Sequence, residues 1–152
     1  MDVFFENDIK EYFGFLVSEH NFSYPIFYDL AYEDHAAYIK DDFYVNIAFD
    51  GTYRVTIEKY RKVAQDVLSE KTKMKDLDYR KRRIYFLSRL DSKKELYHSI
   101  QHLTGHEKDL FYYATLLKNN PKILNGDFRI FSLWYFILKK IQTSRLINKF
   151  LN

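Results

Sequence analysis

An α+β fold is predicted by three observations: apolar residues at helical spacing near the start, strict alternation from residue 24 to residue 57, and helical spacing again from residue 92, behind two capping boxes. At 152 residues the chain is near the commonest size for one compact unit. A single α+β domain over 1–152 is expected, with an N-terminal helix, an antiparallel meander of about four strands and several C-terminal helices.

Phe5, Ile9, Tyr12, Phe13 and Leu16 fall on one stripe of a helix, with Glu6, Lys10, Glu11 and Ser18 turned outward. The helix should end near His20-Asn21, because Asn tolerates the left-handed conformation at a helix end and Pro25 pushes Tyr24 into an extended one. The period then changes to two. Tyr24, Ile26, Tyr28, Leu30 and Tyr32 alternate with Phe27, Asp29, Ala31 and Glu33; Glu33-Asp34-His35 supplies turn chemistry, and a short strand follows over 36–40. After a turn at Asp41-Asp42, Phe43, Val45, Ile47 and Phe49 form one apolar row, and beyond Asp50-Gly51 the residues Tyr53, Val55 and Ile57 form another. This pattern describes a meander with one wet face.

The register of the last hairpin follows from the same pattern. A two-residue Asp50-Gly51 loop would set apolar residues of one strand beside polar residues of the other. A three-residue Asp50-Gly51-Thr52 loop pairs 49 with 53, 47 with 55 and 45 with 57, gathers the apolar rows on one face and requires positive φ at Gly51.

Residues 61–83 show no clear period and read as a polar connection, with a helix favoured from Asp76 to Leu90 on the spacing of Ile84, Leu87 and Leu90. A strand over 83–87 is the alternative. Ser92-Lys93-Lys94-Glu95 and Thr104-Gly105-His106-Glu107 match the capping box, in which a hydroxyl and a carboxylate satisfy two orphan N–H groups. The helices they open present Leu96, Ile100 and Leu103, and then Leu110, Tyr113, Ala114 and Leu117 before Asn119-Asn120-Pro121. A turn at Lys122-Ile123-Leu124 stops at Asn125-Gly126, and Trp134, Ile137, Leu138 and Ile141 mark a last amphipathic helix running toward Phe150.

Aromatic residues make up 19% of the chain, and A- and T-rich codons together with ordinary core use account for them. The net charge of +3 hides a division: residues 1–60 hold four bases and twelve acids, a net of −8, whereas 61–152 hold twenty bases and nine acids, a net of +11. The absence of Cys excludes disulfides, thiolate metal sites and a cysteine nucleophile, and points to a cytoplasmic protein. No secretory signal is expected from the opening residues, and the longest apolar run, 133–138, is far short of the ~20 residues of a membrane span.

His98, His102 and His106 recur at intervals of four, but the Glu of a His-Glu-x-x-His metal site is missing and Thr104 interrupts the helix; no metal and no cofactor are expected. No Gly-rich phosphate loop or nucleophile elbow is present, so a non-enzyme is expected. Two charged surfaces remain. Asp29, Glu33, Asp34, Asp41, Asp42 and Asp50 cluster on the meander and its turns, where carboxylates beside exposed Tyr can dock a basic protein partner. Arg80, Lys81, Arg82 and Arg83 close a basic run over 71–83 flanked by Tyr79 and Tyr85, a pattern suited to nucleic acid.

The segment Asn120-Pro121-Lys122-Ile123-Leu124-Asn125-Gly126-Asp127-Phe128, with Tyr12-Phe13-Gly14-Phe15-Leu16-Val17 near the start, resembles small uncharacterised bacterial α+β proteins that are themselves similar to toxin-immunity proteins. Gly126 reads as a residue just past a helix end and Asp127 as an N-cap. The resemblance implies an immunity-like role, and with the acidic surface the expectation is a non-catalytic module that occludes a basic protein partner; the basic run over 71–83 gives nucleic-acid binding as the alternative.

Overall fold

In a computed structural model, residues 3–30, 32–60 and 82–132 are described. Two helices, α1 (Val3–Phe13) and α2 (Phe15–His20), precede strands β1 (Ile26–Leu30), β2 (Glu33–Lys40), β3 (Phe43–Phe49), β4 (Tyr53–Tyr60) and β5 (Arg82–Phe86). A 3-10 turn (Leu87–Asp91) and helices α3 (Glu95–Ser99), α4 (Gly105–Lys118) and α5 (Pro121–Leu124) follow. The strands form one antiparallel sheet in the order β1-β2-β3-β4-β5, which is the predicted α+β meander with a fifth strand added.

The predicted N-terminal stripe is buried at Phe5, Ile9, Phe13 and Leu16. A break at Gly14 divides it into two helices: a Cβ there would lie 2.6 Å from the Lys10 carbonyl oxygen, closer than any side chain tolerates. The second helix ends as expected on Asn21, whose φ of 60° is left-handed. The stripe meets one face of the sheet, where Ala36, Tyr38, Val45, Ile47, Val55 and Ile57 are buried with it in the main core. Phe5 reaches Phe27, Phe49 and Tyr53 with ring centroids 6.1–6.3 Å apart, and Tyr85 stacks on Phe128 and Phe131 at 5.3 and 4.7 Å. Much of the aromatic excess is therefore core material.

The hairpins test the turn predictions one by one. Phe49 pairs with Tyr53, Ile47 with Val55 and Val45 with Ile57 around a three-residue loop with Gly51 at φ 102°, as the apolar rows require. Lys40 pairs with Phe43 around Asp41-Asp42, also as expected. The first hairpin departs from expectation. Leu30 pairs with Glu33, so the strands are joined by two residues, the second of them Tyr32, and Glu33, Asp34 and His35 belong to β2. Phe27 faces Ala36 in this register, which puts Phe27 on the core side of the sheet.

β5 corrects the helix favoured over 76–90, of which 76–81 lie outside the described residues. The outer edge of β4 pairs Ile57 with Tyr85 and Glu58 with Ile84, and these β-favouring side chains complete the sheet instead. Leu87 is nevertheless buried, as the helical spacing implied, because the 3-10 turn brings it inward. At α3 the predicted Ser92 box is not used: Asp91 accepts from the Leu96 and Tyr97 amides at 3.2 and 3.0 Å, and from the Tyr112 hydroxyl of α4 at 3.0 Å. Helix α4 starts after Thr104 as predicted, although no side chain caps it. Gly126 has φ 86° and Asp127 accepts from the Arg129 amide, so both take their expected roles; the helix expected around Trp134 to Phe150 lies outside the described residues.

The second face of the sheet, expected to be wet, is buried at its centre. Ala37 and Tyr44 are fully covered there, and His35, Asn46 and Glu58 are 5, 6 and 3% exposed.

Candidate functional site

Meander topology divides the six candidate acids between two ends of the sheet. The β1–β2 and β3–β4 turns lie at one end, with Asp29, Glu33, Asp34 and Asp50; the β2–β3 turn lies at the other, with Asp41 and Asp42. The seven residues of β3 separate the ends by about 20 Å. One contiguous acidic surface across all six is thus corrected to two.

At the four-acid end the two-residue turn makes Leu30–Glu33 a hydrogen-bonded pair, so Asp29 and Asp34, opposed one step further along, form a non-hydrogen-bonded pair. In such pairs the side chains approach most closely, with Cα atoms about 4.5 Å apart, and two carboxylates there repel. Between these strands Tyr32 is fully exposed at φ 70°, a left-handed conformation that Gly or Asn adopts more readily. Its ring stands in solvent.

Behind this rim the acids are braced. Arg54 on β4 donates to Glu33 and lies 3.4 Å from Asp50. The hydrogen bond that Arg54 donates to Glu33 pushes the Arg54 pKa further up. The Thr52 amide, helped by the Thr52 hydroxyl and Arg54, holds the Asp50 carboxyl below its ordinary range. Glu33 in turn stands 3.1 Å from His35 Nε2.

From His35 a polar chain runs into the sheet. The Tyr28 hydroxyl donates to Asn46 Oδ1 at 2.8 Å, which leaves the Asn46 amide nitrogen, 3.3 Å from His35 Nδ1, to donate to that ring nitrogen. Tyr28 also stacks on His35 with centroids 4.9 Å apart. A pocket of about 210 Å³ opens here, bordered by Glu33, His35, Asn46, Arg54, Thr56 and Glu58. Nδ1 of His35 faces the Asn46 amide, and Nε2 stands within ion-pair distance of Glu33. The evident role of His35 is to orient Glu33, and through it Arg54 and Asp50.

No family model, no curated protein and no solved structure matches the chain. The site is therefore read from its own geometry. His35, Asn46 and Tyr28 are not singled out by the sequence, where His35 falls in an expected turn; the signal that finds them is the Tyr28–His35 pairing that a two-residue connection after Leu30 creates.

At the opposite end, exposed Asp41 has φ 51°, and Asp42 lies 3.7 Å from Lys59 Nζ. Lys59 pairs across the ladder with exposed Arg83, and Arg82 begins β5. Arg80, Lys81 and the rest of the basic run lie outside the described residues. Of the three histidines, His98 is on α3, His102 follows its end, and His106 turns its ring edge to Phe49 at 4.9 Å. Among the described residues no three His, Asp or Glu side chains are grouped to hold a metal, and no described helix is long and apolar enough to cross a membrane.

Proposed function

We propose that this chain is a non-catalytic, immunity-like binding module that occludes a basic protein partner with the four-acid end of its sheet. The observation that carries the reading is Tyr32: a fully exposed aromatic ring held at positive φ, where it costs stability, inside a rim of Asp29, Glu33, Asp34 and Asp50. An aromatic anchor within complementary charge is the usual anatomy of an interface hot spot. Asp29 and Asp34 oppose each other on one face of the β1–β2 ladder, where a partner's Lys or Arg can meet both.

The test is co-expression with the product of the adjacent gene. The reading expects a complex that Asp29→Lys with Asp34→Lys abolishes and that Asp41→Lys with Asp42→Lys leaves intact. Loss with the second pair and not the first overturns it.

Nucleic-acid binding is the second reading, favoured by the like-charged Lys59–Arg83 pair, whose repulsion a phosphate would relieve. A salt-dependent gel shift lost in Arg82→Glu with Arg83→Glu would support it, and no shift at low salt removes it.

A further inference from the structure

The two edges of the sheet are unequal. β5 carries Arg82 and Arg83, the kind of charge that keeps edges from pairing with other chains. β1, at the other edge, has the sequence Ile26-Phe27-Tyr28-Asp29-Leu30, without a Lys, Arg or Pro within it, and no described strand pairs with its outer side. Because Leu30, Tyr28 and Ile26 spend their backbone groups on β2, the N–H and C=O of Phe27 and Asp29 point outward. Exposed Tyr24 and Tyr32 flank this edge.

We infer that the basic partner is engaged as an extended, Lys- or Arg-bearing segment that adds as a sixth strand to the outer edge of β1. This inference rests on the proposed acidic docking end and specifies its occupant. Charge selects both strand and edge. A basic strand is repelled by exposed Arg83 at β5, whereas at β1 its side chains meet Asp29 and, beyond it on the same face, Asp34. Main-chain bonds to Phe27 and Asp29 supply affinity, and the carboxylates supply the preference for base over acid. A second copy of the chain fits less well, because its own β1 carries no Lys or Arg to meet Asp29 and Asp34.

The probe is a nine-residue peptide alternating lysine and valine, used beside an N-methylated version of equal charge and a glutamate version. Fluorescence anisotropy at low salt should show the lysine peptide bound, with slowed amide exchange at Phe27 and Asp29. N-methylation should weaken binding at least about tenfold, and the glutamate peptide should not bind. Equal binding of plain and N-methylated peptides overturns strand addition while leaving the acidic docking end standing. Binding of neither overturns strand addition, and the acidic end then stands or falls by the co-expression test. Slowed exchange at Phe27 that grows with protein concentration, without peptide, assigns the edge to a second copy and overturns the inference.

Discussion

Tyr32 sets stability against recognition. A left-handed φ costs a residue other than Gly or Asn about 1 kcal/mol, so Tyr32→Asn is expected to raise unfolding stability by about 0.5–1 kcal/mol in urea titrations. The same change removes an exposed ring and should weaken partner binding by more than about 1 kcal/mol. A destabilised Tyr32→Asn protein would mean that the ring has a structural role instead. The connection after Leu30 was not legible as a turn because its sequence lacks turn chemistry; the acids that follow have it, and they drew the turn two residues too late. Gly51 was legible because two apolar rows could share a face only around a three-residue loop, and its φ of 102° is the consequence.

Among the elements, α3 depends on a neighbour. Its five residues are too few to hold a helix alone, and Asp91 accepts from two of its amides while also receiving the Tyr112 hydroxyl. Asp91→Ala removes a cap, costing about 1 kcal/mol, and leaves a buried hydroxyl without its acceptor, costing about 1–2 kcal/mol more. A total loss of about 2–3 kcal/mol is expected by thermal or urea unfolding, with Asp91→Asn intermediate; a loss under about 0.5 kcal/mol would show that α3 forms without the cap. The capping box at Ser92 was a sound pattern in the wrong register, since only the carboxylate one residue earlier reaches both amides. β5 was hidden for a related reason. Ile84, Leu87 and Leu90 keep helical spacing because the strand ends at Phe86 and a 3-10 turn takes over, so two elements imitate one.

For the molecule as a whole, buried tyrosines set the alkaline limit. Burial pushes the Tyr38 hydroxyl well above its usual range; burial, then the hydrogen bond to Asp91, does the same for Tyr112. In the unfolded chain both ionise near pH 10, so the unfolded state loses protons first. Their contribution is complete below pH 10 and is lost as pH rises, at up to about 1.4 kcal/mol per pH unit for each. Urea titrations from pH 8 to 11.5 should show stability falling above 10 and falling less steeply in Tyr38→Phe; an unchanged slope would mean that Tyr38 ionises in the folded protein. The charge division of the sequence also takes spatial form at this scale. Four of the acids gather at one end of the sheet, while Lys40, Lys59 and Arg83 lie at the other. That polarity could not be read from the acids alone, because which turns share an end depends on counting strands correctly.

The connections of the meander differ in length, and that difference orders assembly in time. Strands β1 to β4 are joined by turns of two, two and three residues, whereas β5 is reached only after residues 61–81. Short loops close early and at small entropic cost, and longer ones close later. The first four strands can zip together as neighbours, leaving β5 to dock last and to open first. Native-state exchange should therefore find the Tyr85 amide opening at lower free energy than those of Val45 and Ile47, as a separate step that precedes global unfolding.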